Sequence, residues 1–136
     1  PPQLEKRGGA YYSDAAVRLI SSIYNDKCDI QPVNTMNNGS IASIPDDSAV
    51  EVSCIITKEG PKPLVMGDLP VPVRGLVQQI KSFERVACEA AVTGDYNLAV
   101  LALTINPLVA SDTIAKKIVD EMLEAHKKYL PQFFHK

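Results

Sequence analysis

The spacing of apolar residues changes twice along the chain, and each change marks a change of element. Ala16, Leu19, Ile20 and Ile23 recur at helical spacing, which predicts a helix over residues 14–24. Ser13 is placed to cap it, with the Asp14 carboxylate in the first turn, at the positive end of the helix dipole. NDKCDIQP breaks that pattern, and a short extended piece at 33–35 runs into the turn sequence NNGS; IPDDS is a second turn. In AVEVSCIIT, Val50, Val52, Cys54 and Ile56 alternate with Glu51, Ser53 and Thr57. One face is buried and the other mostly polar, so a strand with an antiparallel neighbour is expected. Residues 64–66 are the candidate for a brief partner strand.

After GDLPVP the helical period returns. Val73, Leu76, Val77, Ile80, Phe83, Ala87 and Ala91 form one stripe of a long helix, with Pro72 in its first turn and Arg74, Gln78, Lys81 and Arg85 opposite. Gly94 stops this helix and Asp95 caps the next, so VTGDYN reads as the link of a helical hairpin. The second helix covers about residues 96–103 and ends before Asn106-Pro107. Ser111 or Asp112 caps a last helix with Ile114, Ile118, Met122 and Tyr129 turned inward, His126 in its final turn and Pro131 closing it. The order is one helix, a small set of strands, then three helices. That is an α+β layer rather than a βαβ alternation.

Bulk properties narrow the function classes. A length of 136 residues suits one domain and is small for a complete two-domain enzyme. A formal net charge of −2 gives no support to nucleic-acid binding. No apolar run approaches the roughly 20 residues that span a bilayer, so no membrane association is expected. Cys28, Cys54 and Cys88 are odd in number and far apart, which reads as reduced thiols in a cytoplasmic protein, usually buried as small hydrophobes. Both histidines, His126 and His135, lie near the C-terminus, which makes a zinc site or a Ser–His–Asp triad hard to build. No GxGxxG or Walker loop occurs. The chain opens PPQLEKRGG without an initiator methionine; either processing or a longer parent polypeptide accounts for that start.

Three stretches carry candidate chemistry. In KRGGAYYSDAA, two cations and a Gly-Gly pair precede Tyr11, Tyr12 and a helix start. Tyr12 fits two roles: an apolar ring stapled onto Val17, or a phenolate base. A free phenol has a pKa of about 10, too high for a base at neutral pH. A helix N-terminus and nearby cations such as Lys6 and Arg7 favour its charged form, and glycine permits close backbone approach to a ligand. In VNTMNNGS, Asn34, Asn37 and Asn38 have the amides to bond several sugar hydroxyls at once, although Asn-Gly is also a plain turn signal. Asp46, Asp47 and Glu51 raise a paired-carboxylate glycosidase, but PDDS is ordinary turn chemistry.

EKRGGAYYSDAA, VNTMNNGSI, PDDSAVEVSC and the run from GDLPVP to TINPLV resemble the C-terminal part of glycoside hydrolase family 4, and within it the 6-phospho-beta-glucosidase branch. The resemblance implies the mixed α+β C-terminal domain of the lactate and malate dehydrogenase superfamily. It implies that NAD oxidises the C3 hydroxyl of a phosphorylated beta-glucoside, with a divalent metal, typically manganese, near the resulting ketone. A tyrosine then removes the acidified C2 proton, the aglycone is eliminated, water adds to C1, and the ketone is reduced. The family's RGGxxYS tyrosine maps onto Tyr12, which directly precedes Ser13, and the pocket-lining loop maps onto Asn37 and Asn38. Met36 leaves that loop without an arginine, so Arg7 or a residue outside the chain is expected at the phosphate. None of the three cysteines matches the family's metal ligand. The dinucleotide-binding domain, the metal ligands and the acid partner are therefore expected upstream of residues 1–136. The chain alone is expected to be inactive, to bind neither NAD nor metal strongly, and to contribute to a homo-oligomer. A non-catalytic oligomerisation domain is the rival expectation, as is a family 4 member acting on another phosphosugar.

Overall fold

The computed structural model describes residues 11–134, which fall into two compact units divided between residues 68 and 69. Among its described residues the first unit is one helix on a three-stranded antiparallel sheet. Helix α1 (Tyr12–Asn25) is followed by strands β1 (Ile30–Met36), β2 (Ala49–Thr57) and β3 (Gly60–Pro63), in spatial order β1-β2-β3. The second unit is helical: α2 (Val71–Thr93), α3 (Tyr96–Ile105) and α4 (Asp112–His126), followed by two short 3-10 turns, Lys127–Tyr129 and Pro131–Phe133. The α+β order expected from the sequence is the order observed.

The sheet is built around β2. Val50, Val52, Cys54 and Ile56 are all buried on one face, Cys54 and Ile56 completely. Prolines occur only in the two outer strands, at Pro32, Pro61 and Pro63. Proline has no N–H to donate to a ladder and is confined to edge strands, and the central strand has none. The β1–β2 register runs from Ile30 opposite Ile55 to Met36 opposite Ala49, and Lys58-Glu59 forms the tight link from Thr57 to Gly60. Thr57, on the opposite face, is buried despite its polarity; its hydroxyl donates to the Gly60 carbonyl (3.0 Å) and accepts from the Glu59 amide (3.3 Å). Residues 64–66 are not a strand. Leu64 N–H bonds Ser53 O, after which Met66 N–H turns away to Ser40 O and Gly67 O accepts from Ala42 N–H. The segment thus closes the 37–48 loop instead of lengthening β3.

In the helical unit the Gly94-Asp95 terminator holds, whereas the last helix ends at His126, before the Pro131 expected to close it. Gly94 is left-handed (φ 69°), and a Cβ there would sit 2.0 Å from Gln132 O, so no other residue fits. Asp95 caps α3 by accepting from Asn97 N–H and Leu98 N–H, and Ser111, not Asp112, caps α4 through Ile114 N–H. The inward face of α4 differs from expectation. Ala115 and Val119 are buried, whereas Ile114, Met122 and Tyr129 are 43%, 52% and 73% exposed. Small residues let the helix approach its neighbour α3, whose buried residue is Ala102, and the larger apolar side chains are displaced to the rim.

Candidate functional site

Tyr12 is the first residue of α1, not the residue before its cap. The N-cap position is Tyr11 (φ −111°, ψ 13°), without a side-chain hydrogen bond, and Ser13 lies inside the first turn. The cap expected of Ser13 is therefore absent: the helix starts two residues earlier, and Ala15 N–H bonds Tyr11 O. The Tyr12 side chain is 78% exposed and Val17 is exposed too, so no hydrophobic staple buries the ring. Among the described residues no side chain caps the first turn, whose amides carry the positive end of the helix dipole near the phenol. A hollow beside this end is lined by Tyr11, Ser13, Asp14, Ala15, Val17 and Arg18; Tyr12 is not among its described lining residues. Lys6, Arg7 and the Gly-Gly pair lie outside the described residues.

The two candidate asparagines part company. Asn37 is 0% exposed, and its side chain is occupied by its own loop. Its amide nitrogen donates to Ile41 O (3.0 Å) and Ile44 O (2.7 Å), and its amide oxygen accepts from Ile41 N–H (2.8 Å). Its backbone N–H bonds Ser48 O, and its carbonyl accepts from Ser40 N–H. Asn37, expected from the sequence to bind sugar hydroxyls, thus has its amide engaged within its own loop. Asn38 is exposed and left-handed (φ 44°), with its N–H on Asp46 O (2.9 Å). Asn is one of the few residues that adopts this conformation readily. Asn34 and Glu51 are exposed and opposite each other across β1 and β2, while Asp46 and Asp47 lie exposed in the turn before β2.

A polar cluster that the sequence pattern did not single out joins the end of α1 to the start of β1. The Ser22 hydroxyl, 1% exposed, donates to Asp29 Oδ1 (2.5 Å). The buried Gln31 amide donates to Ser22 Oγ (2.8 Å) and reaches both Asp29 oxygens (3.2 and 3.0 Å). The Ser22 bond holds the Asp29 carboxyl below its ordinary range against the opposing effect of burial, with Gln31 and the Arg18 charge adding to the lowering. The only clue in the sequence is a serine on a helix stripe otherwise filled by Leu and Ile.

Of the cysteines only Cys54 is buried, and burial pushes its thiol up, away from reactivity; Cys28 and Cys88 are exposed. Among the described residues no three His, Cys, Asp or Glu side chains come together as a metal-holding group. The sequence also has no Gly-rich dinucleotide loop. The residues present therefore do not by themselves fit a metal or NAD. No described helix is long and apolar enough to cross a membrane.

A small antiparallel sheet carrying one helix, followed by a helical unit, is the C-terminal architecture of phosphoglycosidases with a dehydrogenase-like fold. The chain belongs to the family described as the family 4 glycosyl hydrolase C-terminal domain, whose model matches residues 1–109. It is 82% identical to a probable 6-phospho-beta-glucosidase of Bacillus subtilis (strain 168), over 100% of this chain and 31% of that protein. The 6-phospho-beta-glucosidase of Thermotoga maritima, solved with manganese, NAD+ and glucose-6-phosphate, matches at TM-score 0.85 and 36% identity, over 96% of this chain and 32% of that one. A 6-phospho-alpha-glucosidase from gut microorganisms, solved with NAD and glucose-6-phosphate, matches at TM-score 0.86 and 33% identity, over 90% and 28% of the two chains. The chain thus spans about a third of the length of these relatives.

Proposed function

We propose that this chain is the C-terminal part of a 6-phospho-beta-glucosidase, a cytoplasmic homo-oligomer whose dinucleotide-binding domain and metal ligands lie outside residues 1–136. The observation that carries the reading is the 82% identity to the Bacillus relative across the whole chain. Fold similarity does not choose the anomer, since alpha- and beta-specific neighbours superpose equally well on this chain; sequence identity favours beta.

When bound, NAD and a divalent metal, manganese by family resemblance, make the hydrogen on sugar C2 acidic. The part of this chain is to remove it. The Tyr12 oxygen takes the C2 proton, the electron pair left on C2 expels the aglycone from C1, and water later adds at C1. A positioned general base contributes about 10²–10⁴-fold to rate. The exposure of Tyr12 supports this role because a phenol facing outward is open to a substrate bound between this chain and the rest of the protein. Asn38, the exposed asparagine of the NNGS turn, is the residue assigned to sugar hydroxyls.

Turnover of chromogenic 6-phosphoglucosides by the full-length protein tests the reading. The beta anomer is expected to be cleaved in the presence of NAD and manganese. Preference for the alpha anomer, or no cleavage of either, contradicts it.

A further inference from the structure

Among the described residues, helix α1 is fastened to its unit at one end. Of residues 12–25 only Leu19, Ser21 and Ser22 are not exposed, and only Ser22 is buried. The two turns that begin with Tyr12 contribute no buried side chain. Below Ser22 the fastening is dense. The helix closes in its own C-cap, with Lys27 N–H on Ser22 O and Asp26 left-handed (φ 50°), and an Asp26 carboxylate oxygen accepts from Lys58 N–H (2.9 Å) at the β2–β3 turn. Within this region the contact that fixes the helix to β1 is the triad of Ser22, Asp29 and Gln31.

We propose that Ser22, Asp29 and Gln31 are positioning residues for the reaction, aligning the helix whose first residue is Tyr12. The proposal rests on the reading of Tyr12 as the base. Ten residues of helix separate Ser22 from Tyr12, about 15 Å at 1.5 Å per residue. A rigid rod held at one end converts a small change of angle there into a displacement at the other. A hydrogen-bonded lock sets that angle more narrowly than apolar packing does, because its donors and acceptors have preferred directions. Misplacement of a reacting group by about 1 Å costs on the order of 10²-fold in rate, so loss of the lock is expected to reduce kcat with little change in KM.

The experiment is a double-mutant cycle in the full-length enzyme with Ser22→Ala and Tyr12→Phe. Ser22→Ala alone is expected to lower kcat about tenfold or more, with KM for the phosphoglucoside unchanged. In the Tyr12→Phe background it is expected to cost nothing further, because the group it aligns is gone. A kcat unchanged by Ser22→Ala, or an equal loss in both backgrounds, overturns the positioning role while leaving Tyr12 as base. Full activity of Tyr12→Phe overturns the base assignment, and the positioning role with it. If Ser22→Ala does not fold, the near-isosteric Asp29→Asn is read by the same cycle.

Discussion

The first turn of α1 and the loop 37–48 differ in where their polar groups are spent. In the loop, the Asn37 amide and backbone and the Ser40 hydroxyl, which donates to Leu64 O (2.5 Å), are bonded inward. At the helix start, Tyr12 is exposed and the cap position makes no side-chain bond. A buried polar group is costly unless partnered, so the loop's hydrogen bonds specify its shape. An exposed phenol stabilises nothing around it and is free to serve chemistry. Two motifs that look equally functional in sequence are thus a structural staple and a candidate reactive group.

The contrast is sharpest at Tyr12 and Asn37. Tyr12→Phe is expected to lower turnover by the full-length enzyme about 10²–10⁴-fold while moving stability by less than about 0.5 kcal/mol, as for an exposed surface change. Thermal unfolding alongside kinetics checks both halves. Asn37→Ala is expected to do the reverse. It strips the carbonyls of Ile41 and Ile44 and the N–H of Ile41 of their partner, costing about 2–4 kcal/mol in denaturant titration. Any change in kcat should then follow the folded fraction. A stable but substrate-blind Asn37→Ala enzyme would return Asn37 to the binding site and break the comparison.

Smaller effects divide conformation from contact at Asn38. Its left-handed backbone costs an ordinary residue about 1–2 kcal/mol, so Asn38→Ala should destabilise by about that amount and Asn38→Gly should not. A raised KM in the glycine variant then reports the lost amide alone. The least effect is at Asp29. A carboxyl lowered below 3.8 in the folded state contributes stability that is present above that unfolded value and lost as pH falls through the folded one. The stability gap between wild type and Asp29→Asn should therefore narrow below about pH 4. A gap that is the same at pH 3 and pH 7 contradicts the assignment.

Much of the fold was legible because periodicity and caps agree with the packing. The alternation in AVEVSCIIT marks the buried face of β2, and Gly94-Asp95 marks the hairpin link. The inward face of α4 was misjudged because Ala115 is nearly invisible to a count of large apolar residues, yet it is what allows close approach to α3. The role of Asn37 was hidden because it depends on carbonyls at Ile41 and Ile44 and on Ser48, groups brought round only once the loop closes. The Ser22 lock was hidden for the same reason: its partners lie seven and nine residues on, across the turn that ends the helix. Tyr12 was singled out as a candidate base through family resemblance, while its placement as the first helical residue was not legible, since Ser13 is the better cap by residue type.

The most direct measurement is the incorporation of solvent deuterium at C2 of the phosphosugar, comparing full-length wild type with Tyr12→Phe under matched NAD binding. The account predicts exchange in the wild type and its loss in the variant with NAD affinity retained. Exchange that persists without the phenol would contradict it.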